Sequence, residues 1–268
     1  MLAMNQDRYR GLLDDLRAEG EELTSTLFAM TDLQWSSDTP AAGWTIHDQL
    51  EHLAFFDDMA FMAQTSPPDF IERAEVVMAV GPTWIDQISF DRRGSSPAEL
   101  LLRFDRSRTA LMAAFGEADP ARRSPWFGPT MSAASAASAR LMETWAHSQD
   151  VHDALGILRR PSERIRHVCH LGVLTRGFSF GIHGLEQPTC DVRIELVSPA
   201  GKVWTWGGEA ALDRITGDAW DFALVVTQRR ALADTSLQAT AGPAAQWLRI
   251  AQAFAGDPPP QRSGVRAE

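Results

Sequence analysis

Lysine and cysteine are nearly absent from this chain of 268 residues. The two cysteines, Cys169 and Cys190, lie 21 residues apart without a CxxC pattern, which excludes a disulfide framework and a cysteine-based zinc site. Long apolar runs are missing too, because no stretch approaches the ~18 uninterrupted apolar residues of a membrane span. The first residues lack the apolar stretch of a secretion signal, so we expect a cytoplasmic protein with no membrane partner.

Basic residues are also fewer than acidic ones, 25 against 35. The formal net charge is −10 at pH 7, and Lys202 is the only lysine beside 24 arginines. A chain of this charge is not expected to bind nucleic acid, because binding the phosphate backbone favours a basic surface. A small-molecule partner is expected instead, and an anionic one would need a local arginine. The content of 44% hydrophobic residues is typical of a globular chain with a large core.

The first half of the sequence predicts helices alone. Apolar residues recur with the helical period, and both Thr45 and Ser96-Pro97 have the chemistry of a helix start. Long helices are expected over residues 5–31, 45–64, 96–117 and 132–155, with short helical pieces over 69–90. Four long helices with modest connections indicate an up-and-down four-helix bundle without strands, over residues 1–158.

A different pattern begins at Arg159-Arg160-Pro161, where we place a domain boundary. The expected elements are a helix over 163–181, strands over 190–197, 203–206 and 211–216, and helices over 218–229 and 243–254. This mixture predicts a smaller α+β domain over residues 159–256, so the fold class of the whole chain is α+β. The proline-rich residues 257–268 are expected to form a disordered tail.

Histidines and carboxylates on the helices are the main candidates for chemistry, because the sequence has no GxGxxG, P-loop, GxSxG or HExxH motif. At about 100° per residue, His52 lies on the apolar stripe of the second helix beside Phe55 and Phe56 and points towards the bundle interior. It is either a satisfied core histidine or a metal ligand. His47 falls beside Glu51 on a face that we expect to be solvated.

The fourth long helix carries four ionisable residues at spacings of three, four and three, which place them on one face. They are Arg140, Glu143, His147 and Asp150. This face is either simply solvated or it carries metal ligands. Two imidazoles and one carboxylate, from His52, His147 and Glu143, can hold a divalent ion and leave positions open for water or substrate.

Two segments carry a resemblance to known proteins. Residues 44–53, WTIHDQLEHL, resemble the W-x-x-x-(D/E)-x-x-x-H-(L/V) segment of the DinB-like metal-binding superfamily. Residues 140–151, RLMETWAHSQDV, resemble the E-x-x-x-H-x-x-D segment of its mycothiol-dependent maleylpyruvate isomerase branch. Within that branch the chain is most similar to an actinobacterial subfamily of metal-binding proteins. The resemblance covers about residues 5–158 and implies that His52, Glu143 and His147 are the metal ligands.

The resemblance also implies a thiol-dependent chemistry. The branch uses mycothiol, so the chain would be an isomerase or a thiol transferase that acts on a small electrophilic substrate with a divalent metal, expected to be Zn²⁺. No catalytic nucleophile is expected within the chain. Asp150 would orient a ligand or contact a bound polar group, and Arg140 would pair either with a substrate carboxylate or with Glu143. Arg229 and Arg230 are further candidates for substrate binding, and a homodimer is left open.

Alternative functions stay open at this point. The second half resembles the α+β domain that accompanies this bundle, loosely sterol-carrier-like, and Trp204 and Trp206 lie on one strand face that could pack or bind a ligand. A non-catalytic protein that binds a metal and a small apolar ligand is therefore an alternative, as is a metal-dependent hydrolase. Residues 234–255 resemble a short segment of tRNA wybutosine-synthesis proteins, although the acidic charge does not favour RNA binding.

Overall fold

The computed structural model of the protein describes residues 5–256, so the predicted tail over 257–268 lies outside the described residues. The chain divides into two compact units, with the boundary between Leu158 and Arg159. Helices dominate and small sheets accompany them, which confirms the predicted α+β class. Within residues 5–256, no helix combines the length and the apolar character that crossing a membrane requires.

Six helices form most of the first unit. They are α1 (Gln6–Phe28), α2 (Ile46–Thr65), α3 (Pro67–Met78), α4 (Trp84–Phe90), α5 (Pro97–Glu117) and α6 (Ala133–Leu155). Their ends follow local chemistry, because Thr45 and Ser96 each form a capping box that satisfies the first backbone N–H groups of α2 and α5. Helix α6 ends at Gly156, whose left-handed φ of 65° suits a residue without a Cβ.

The four long helices pack as a bundle. Helices α1 and α2 each pack against both α5 and α6, and the shorter α3 and α4 pack against α2. Fully buried leucines and aromatic residues fill the interior, including Leu12, Leu16, Leu53, Leu111, Phe115 and Trp145. Burial of each such side chain contributes ~1.5–3 kcal/mol to folding, so the apolar interior holds α2 and α6 side by side.

Helix α2 is buried on nearly all sides, and this overturns one expectation from the sequence. His47 and Glu51 were assigned to a solvated face, but they are only 7% and 1% exposed. The turn that follows α4 covers them, since His47 Nε2 lies 3.2 Å from the carbonyl oxygen of Ser95. Arg103 on α5 pairs with Glu51. The prediction was wrong because the helical period shows which residues share a face but not what later packs on that face.

The long connection between α5 and α6 contains a minimal ladder that the sequence did not predict. Strands β1 (Arg123–Ser124) and β2 (Met131–Ser132) pair antiparallel over two residues each. The expectation of a bundle without strands was therefore wrong at this connection, because two-residue strands carry no alternating pattern. The ladder closes the intervening loop and brings it back to the start of α6.

Over its described residues, 159–256, the second unit combines a four-stranded sheet with four α-helices. These are α7 (Ile165–Leu174), α8 (Arg176–Ile182), β3 (Val192–Val197), β4 (Val203–Trp206), β5 (Asp213–Asp218), α9 (Ala219–Val226), β6 (Gln238–Ala239) and α10 (Pro243–Ile250). The sheet order is β4-β3-β5-β6, with the predicted β3–β4 hairpin antiparallel and β3 parallel to β5. The helix expected over 163–181 is two helices, because Thr175 leaves the helical conformation and its hydroxyl bonds to the carbonyl oxygens of Leu171 and Gly172.

Candidate metal centre

The packing of α2 against α6 brings His52, Glu143 and His147 together. Glu143 and His147 lie one turn apart on α6, and His52 lies on the facing side of α2. Glu143 Oε2 lies 3.1 Å from His147 Nε2 and 3.6 Å from His52 Nε2. One ligand atom from each residue lies within 4.8 Å of the other two, a separation that one metal ion can bridge.

The three side chains are unequally exposed. The side chains of His52 and His147 are 11% and 10% exposed, whereas that of Glu143 is 23% exposed. Ala139 lies one turn before Glu143 on the same face of α6 and is also partly exposed. Glu143 is therefore the most solvent-accessible of the three, and the side chain beside it on α6 is small.

Burial and mutual contacts set the charge of these groups. Burial, together with the positive charge of His147 when that residue is protonated, lowers the pKa of His52 from 6.5 to about 4. Burial alone would raise the pKa of Glu143, but hydrogen bonds to His147 and His52 outweigh burial and hold that pKa well below its usual value. At neutral pH the site thus offers a neutral His52 imidazole and an ionised Glu143 carboxylate, which are the forms that bind metals.

Gln49 fixes the orientation of His147, a role that the sequence analysis missed. The buried Gln49 amide donates from Nε2 to Thr39 Oγ1 at 2.8 Å, so its Oε1 faces Nδ1 of His147 and accepts a hydrogen bond from it. Thr39 Oγ1 in turn donates to the carbonyl oxygen of Trp44 at 2.8 Å. This network assigns a proton to Nδ1 of His147 and leaves Nε2, which faces Glu143, as the nitrogen that can release its proton and bind an ion. The sequence signal that could have identified Gln49 is its position, three residues before His52 on α2.

The arrangement fits a cation. His147 Nε2 lies 3.1 Å from the ionised Glu143 carboxylate, and a metal ion would displace the proton of this hydrogen bond on binding. Nε2 of His52 approaches the same carboxylate oxygen. Two imidazole nitrogens and one carboxylate oxygen suit Zn²⁺ and other borderline divalent ions.

Trp44 lies over both histidines. Its ring is stacked on His147 at a centroid distance of 5.9 Å and lies 5.2 Å from the His52 ring. The indole Nε1 donates to Asp86 Oδ1 on α4 at 2.8 Å, which holds the ring in place. Trp44 belongs to the motif that carried the family resemblance, but no pattern in the sequence identified Asp86 as its partner.

The partner of Arg140 in the structure is neither Glu143 nor an open substrate position. Its guanidinium is buried and donates from Nε to Asp57 Oδ1 at 2.9 Å and from Nη2 to the carbonyl oxygen of Leu53 at 3.2 Å. Arg108 donates to the other oxygen of Asp57 at 2.6 Å. Arg140 is thus committed to a buried ion pair rather than to Glu143 or a substrate carboxylate. Asp150 is fully buried one turn beyond His147.

The remaining candidates lie in the second unit. Arg229 is buried and donates to the carbonyl oxygen of Thr227, and Arg230 is half-buried and donates to the carbonyl oxygen of Arg229, both at 2.7 Å. Cys169 is buried, and burial raises the pKa of its thiol well above the usual range, so it is a poor nucleophile. Trp204 is buried against the sheet core, as the packing interpretation of that strand expects.

Comparisons with known proteins show the family of this chain. Residues 16–152 match the family described as mycothiol maleylpyruvate isomerase N-terminal domain. Two proteins of Mycobacterium tuberculosis, uncharacterized protein MT0041 of strain CDC 1551 / Oshkosh and uncharacterized protein Rv0036c of strain H37Rv, are each 43% identical over 244 residues. These alignments cover 91% of this chain and 95% of each relative.

The fold is also similar to solved structures. Crystal structures of a mycothiol-dependent maleylpyruvate isomerase and of its histidine-to-alanine mutant match with a TM-score of 0.61 at 14% identity. The matches cover 90% of this chain and 97% of the other, so the similarity of fold extends beyond the bundle. The family resemblance predicted from the two sequence segments is confirmed: this chain belongs to the mycothiol maleylpyruvate isomerase N-terminal domain family.

Proposed function

We propose that this protein binds one divalent metal ion, Zn²⁺ in the first instance, through His52, Glu143 and His147, and that it uses mycothiol to act on a small electrophilic substrate. One observation supports the metal site above all others. The hydrogen bond to Gln49 leaves Nε2 of His147 facing an ionised carboxylate that a second imidazole also approaches. Two imidazole nitrogens and one carboxylate oxygen thus lie close enough together to hold one divalent ion.

The chain's own residues would divide the work at such a site. When bound, a divalent ion supplies positive charge that favours the thiolate form of a thiol at neutral pH. Gln49 and Trp44 hold the imidazole of His147 in its orientation. The exposed edge at Glu143 is where a thiol and a substrate would enter.

The thiol would come from outside the chain. The described cysteines, Cys169 and Cys190, both lie in the second unit, and Cys169 is fully buried. In an isomerase, the thiolate adds to a double bond, allows rotation and leaves, whereas in a transferase the carbon–sulfur bond remains. Isomerisation and thiol transfer need the same metal ligands. We therefore propose a mycothiol-dependent enzyme without choosing between an isomerase and a transferase. The homodimer stays open, and the cytoplasmic location stays a prediction.

Calorimetry with mycothiol tests this function directly. We expect one metal ion per chain and binding of mycothiol to the metal-loaded protein, with release of a proton that buffers of different ionisation enthalpy reveal. Exchange of Cys169 and Cys190 for serine should leave this binding unchanged. Binding that survives metal removal, or no binding at millimolar thiol, would contradict the proposal and favour a carrier or a hydrolase.

A further inference from the structure

An aromatic cluster borders the proposed metal site beside His52. The Phe56 ring, one turn along α2, has its centroid 4.6 Å from the His52 imidazole. Trp84, Trp126 and Phe127 surround Phe56 at centroid distances of 5.8, 6.1 and 5.6 Å. We call Phe56, Trp84, Trp126 and Phe127 the aromatic cluster, and it begins in direct contact with a proposed ligand.

The outer members of the cluster differ from ordinary core residues. Trp84 begins the short helix α4, and Trp126 and Phe127 lie in the loop between β1 and β2, so all three come from outside the four bundle helices. These three side chains are half-buried, whereas Phe56 is buried. The cluster therefore extends from a proposed ligand to an apolar surface that a small molecule can reach.

Space for an apolar molecule adjoins this cluster. Trp84 also lines a groove of about 420 Å³, a size suited to a small-molecule ligand. Phe55, Val77, Val80 and Ile88 supply apolar side chains to the groove. Arg73, Asp91 and Arg92 also line it, but all three are exposed, so solvent screens their charges.

Four arginines that reach α2 near the proposed ligands are already bound to carboxylates. The pairs are Arg93 with Asp48, Arg103 with Glu51, Arg108 with Asp57 and Arg140 with Asp57. Arg108 and Arg140 lie in the buried interior, where separating such a pair is costly. A dicarboxylate such as maleylpyruvate would have to break one of these pairs to gain a guanidinium partner there.

From these two observations we infer that the substrate is an uncharged electrophile with an aromatic or otherwise planar apolar body, which packs on Trp84 and Phe127 while its reactive carbon lies near Glu143. This inference rests on the proposed function, since it assumes that the site presents a thiol. Aromatic rings at offset-stacked or edge-to-face distances favour a planar apolar partner. An anionic partner gains little, because the arginines beside the proposed ligands are paired and those along the groove are screened by solvent.

Two matched enones provide the test. The neutral probe is 4-phenylbut-3-en-2-one, and the charged probe carries an additional para-carboxylate on the same ring. In each addition the thiol S–H bond is replaced by an S–C bond, the C=C π bond is lost, and a proton is added to the carbon next to the carbonyl. No oxidant or leaving group is required. Each rate with mycothiol and metal-loaded protein is divided by the rate without protein.

We expect the protein to accelerate addition to the neutral enone at least tenfold more than addition to the carboxylated one. Trp84→Ala and Phe127→Ala should each lower the acceleration of the neutral enone about five- to tenfold, and Trp84→Phe should restore most of it. Phe28→Ala is the matched control, because Phe28 is an exposed aromatic residue at the end of α1. It should change nothing. Thermal unfolding of each variant checks that the fold is kept.

Metal content and mycothiol binding are measured on the same preparations, so the two ideas fail separately. Equal or greater acceleration of the carboxylated enone, with metal and thiol bound, overturns the substrate class and leaves the proposed function standing. A neutral preference that survives loss of Trp84 and Phe127 also overturns it. If the metal-loaded wild-type protein does not bind mycothiol, both the proposed function and the substrate inference are overturned.

Discussion

Helix α2 of the first unit and helix α9 of the second are both almost completely buried, but they bury different kinds of side chain. The buried residues of α9 are apolar throughout, as in Phe222 and Val226. Those of α2 include acids, amides and histidines, among them Asp48, Gln49, Glu51, His52 and Asp57. An apolar helix requires only complementary packing, whereas each buried polar group of α2 requires a partner from another element. Burying polar side chains with their partners is costly, and on α2 these pairs are concentrated around the proposed ligands. The comparison therefore indicates that the functional site of this chain lies at α2.

The largest effect should come from removing a proposed ligand from the polar interior. We expect His147→Ala to lose the metal ion on dialysis while keeping most of its helical circular dichroism, because two donors alone hold an ion weakly. His152→Ala is the matched control, since His152 is buried on the same helix but is bonded to the carbonyl oxygen of Ser148. Elemental analysis measures the metal content of both variants. Full metal occupancy in His147→Ala would contradict the assignment of His147 as a metal ligand.

The next effect compares two carboxylates that each bridge two arginines, one in each unit. Asp57 is buried between Arg108 and Arg140, whereas Glu195 is 33% exposed between Arg193 and Arg214. Asp57→Ala should reduce the free energy of unfolding by ~3–5 kcal/mol, because it leaves buried guanidiniums without their counter-charge. Glu195→Ala should cost at most ~1 kcal/mol, since solvent screens that pair. Urea denaturation gives both values, and equal losses would break the contrast drawn here.

A smaller effect should appear on acidification of the metal-free protein. The unfolded chain protonates His52 near its ordinary pKa of 6.5, whereas the folded chain does so only near a pKa of about 4. Between these values the unfolded state binds more protons, so stability falls as pH is lowered from 6.5 to 4, by up to ~3 kcal/mol. Urea titrations in the presence of a chelator should show this slope. A His52→Gln variant should have a flatter profile, and an unchanged slope would show that His52 is not the group concerned.

The smallest of the four effects tests orientation rather than ligation. Gln49→Ala should weaken metal affinity by ~10–100-fold, because His147 then loses the acceptor that fixes its tautomer. Gln49→Glu keeps an acceptor oxygen and should recover part of that loss. Gln64→Ala, a buried glutamine on the same helix, should leave the affinity unchanged. Competition with a chromophoric chelator measures all three affinities.

Local chemistry made most of the first unit predictable. The capping residues Thr45, Ser96 and Ser132 and the terminal Gly156 mark helix ends that the structure reproduces within about a turn. The spacing of Glu143 and His147 places both side chains on one face wherever α6 packs. These features depend on residues a few positions apart, so the sequence alone contains them.

What the sequence could not supply depends on partners far away in the chain. Arg140 bonds to Asp57 across 83 positions, and nothing near either residue indicates the other. The acceptor for His147 is Gln49, an amide in a variable position of the motif. The two-residue strands β1, β2 and β6 are too short to alternate. These misses come from pairing that no local pattern shows, whereas the break between α7 and α8 at Thr175 is local.

The position of Trp44 over the two imidazoles has an optical consequence. Its indole lies within 6 Å, ring centre to ring centre, of both His52 and His147. A paramagnetic ion such as Cu²⁺ or Co²⁺ held by these histidines would quench the emission of a ring so near, whereas Zn²⁺, with a filled d shell, would not. The protein thus carries its own fluorescent reporter of occupancy. Comparison of the wild-type emission with that of Trp44→Phe would isolate its contribution from those of the other eight tryptophans.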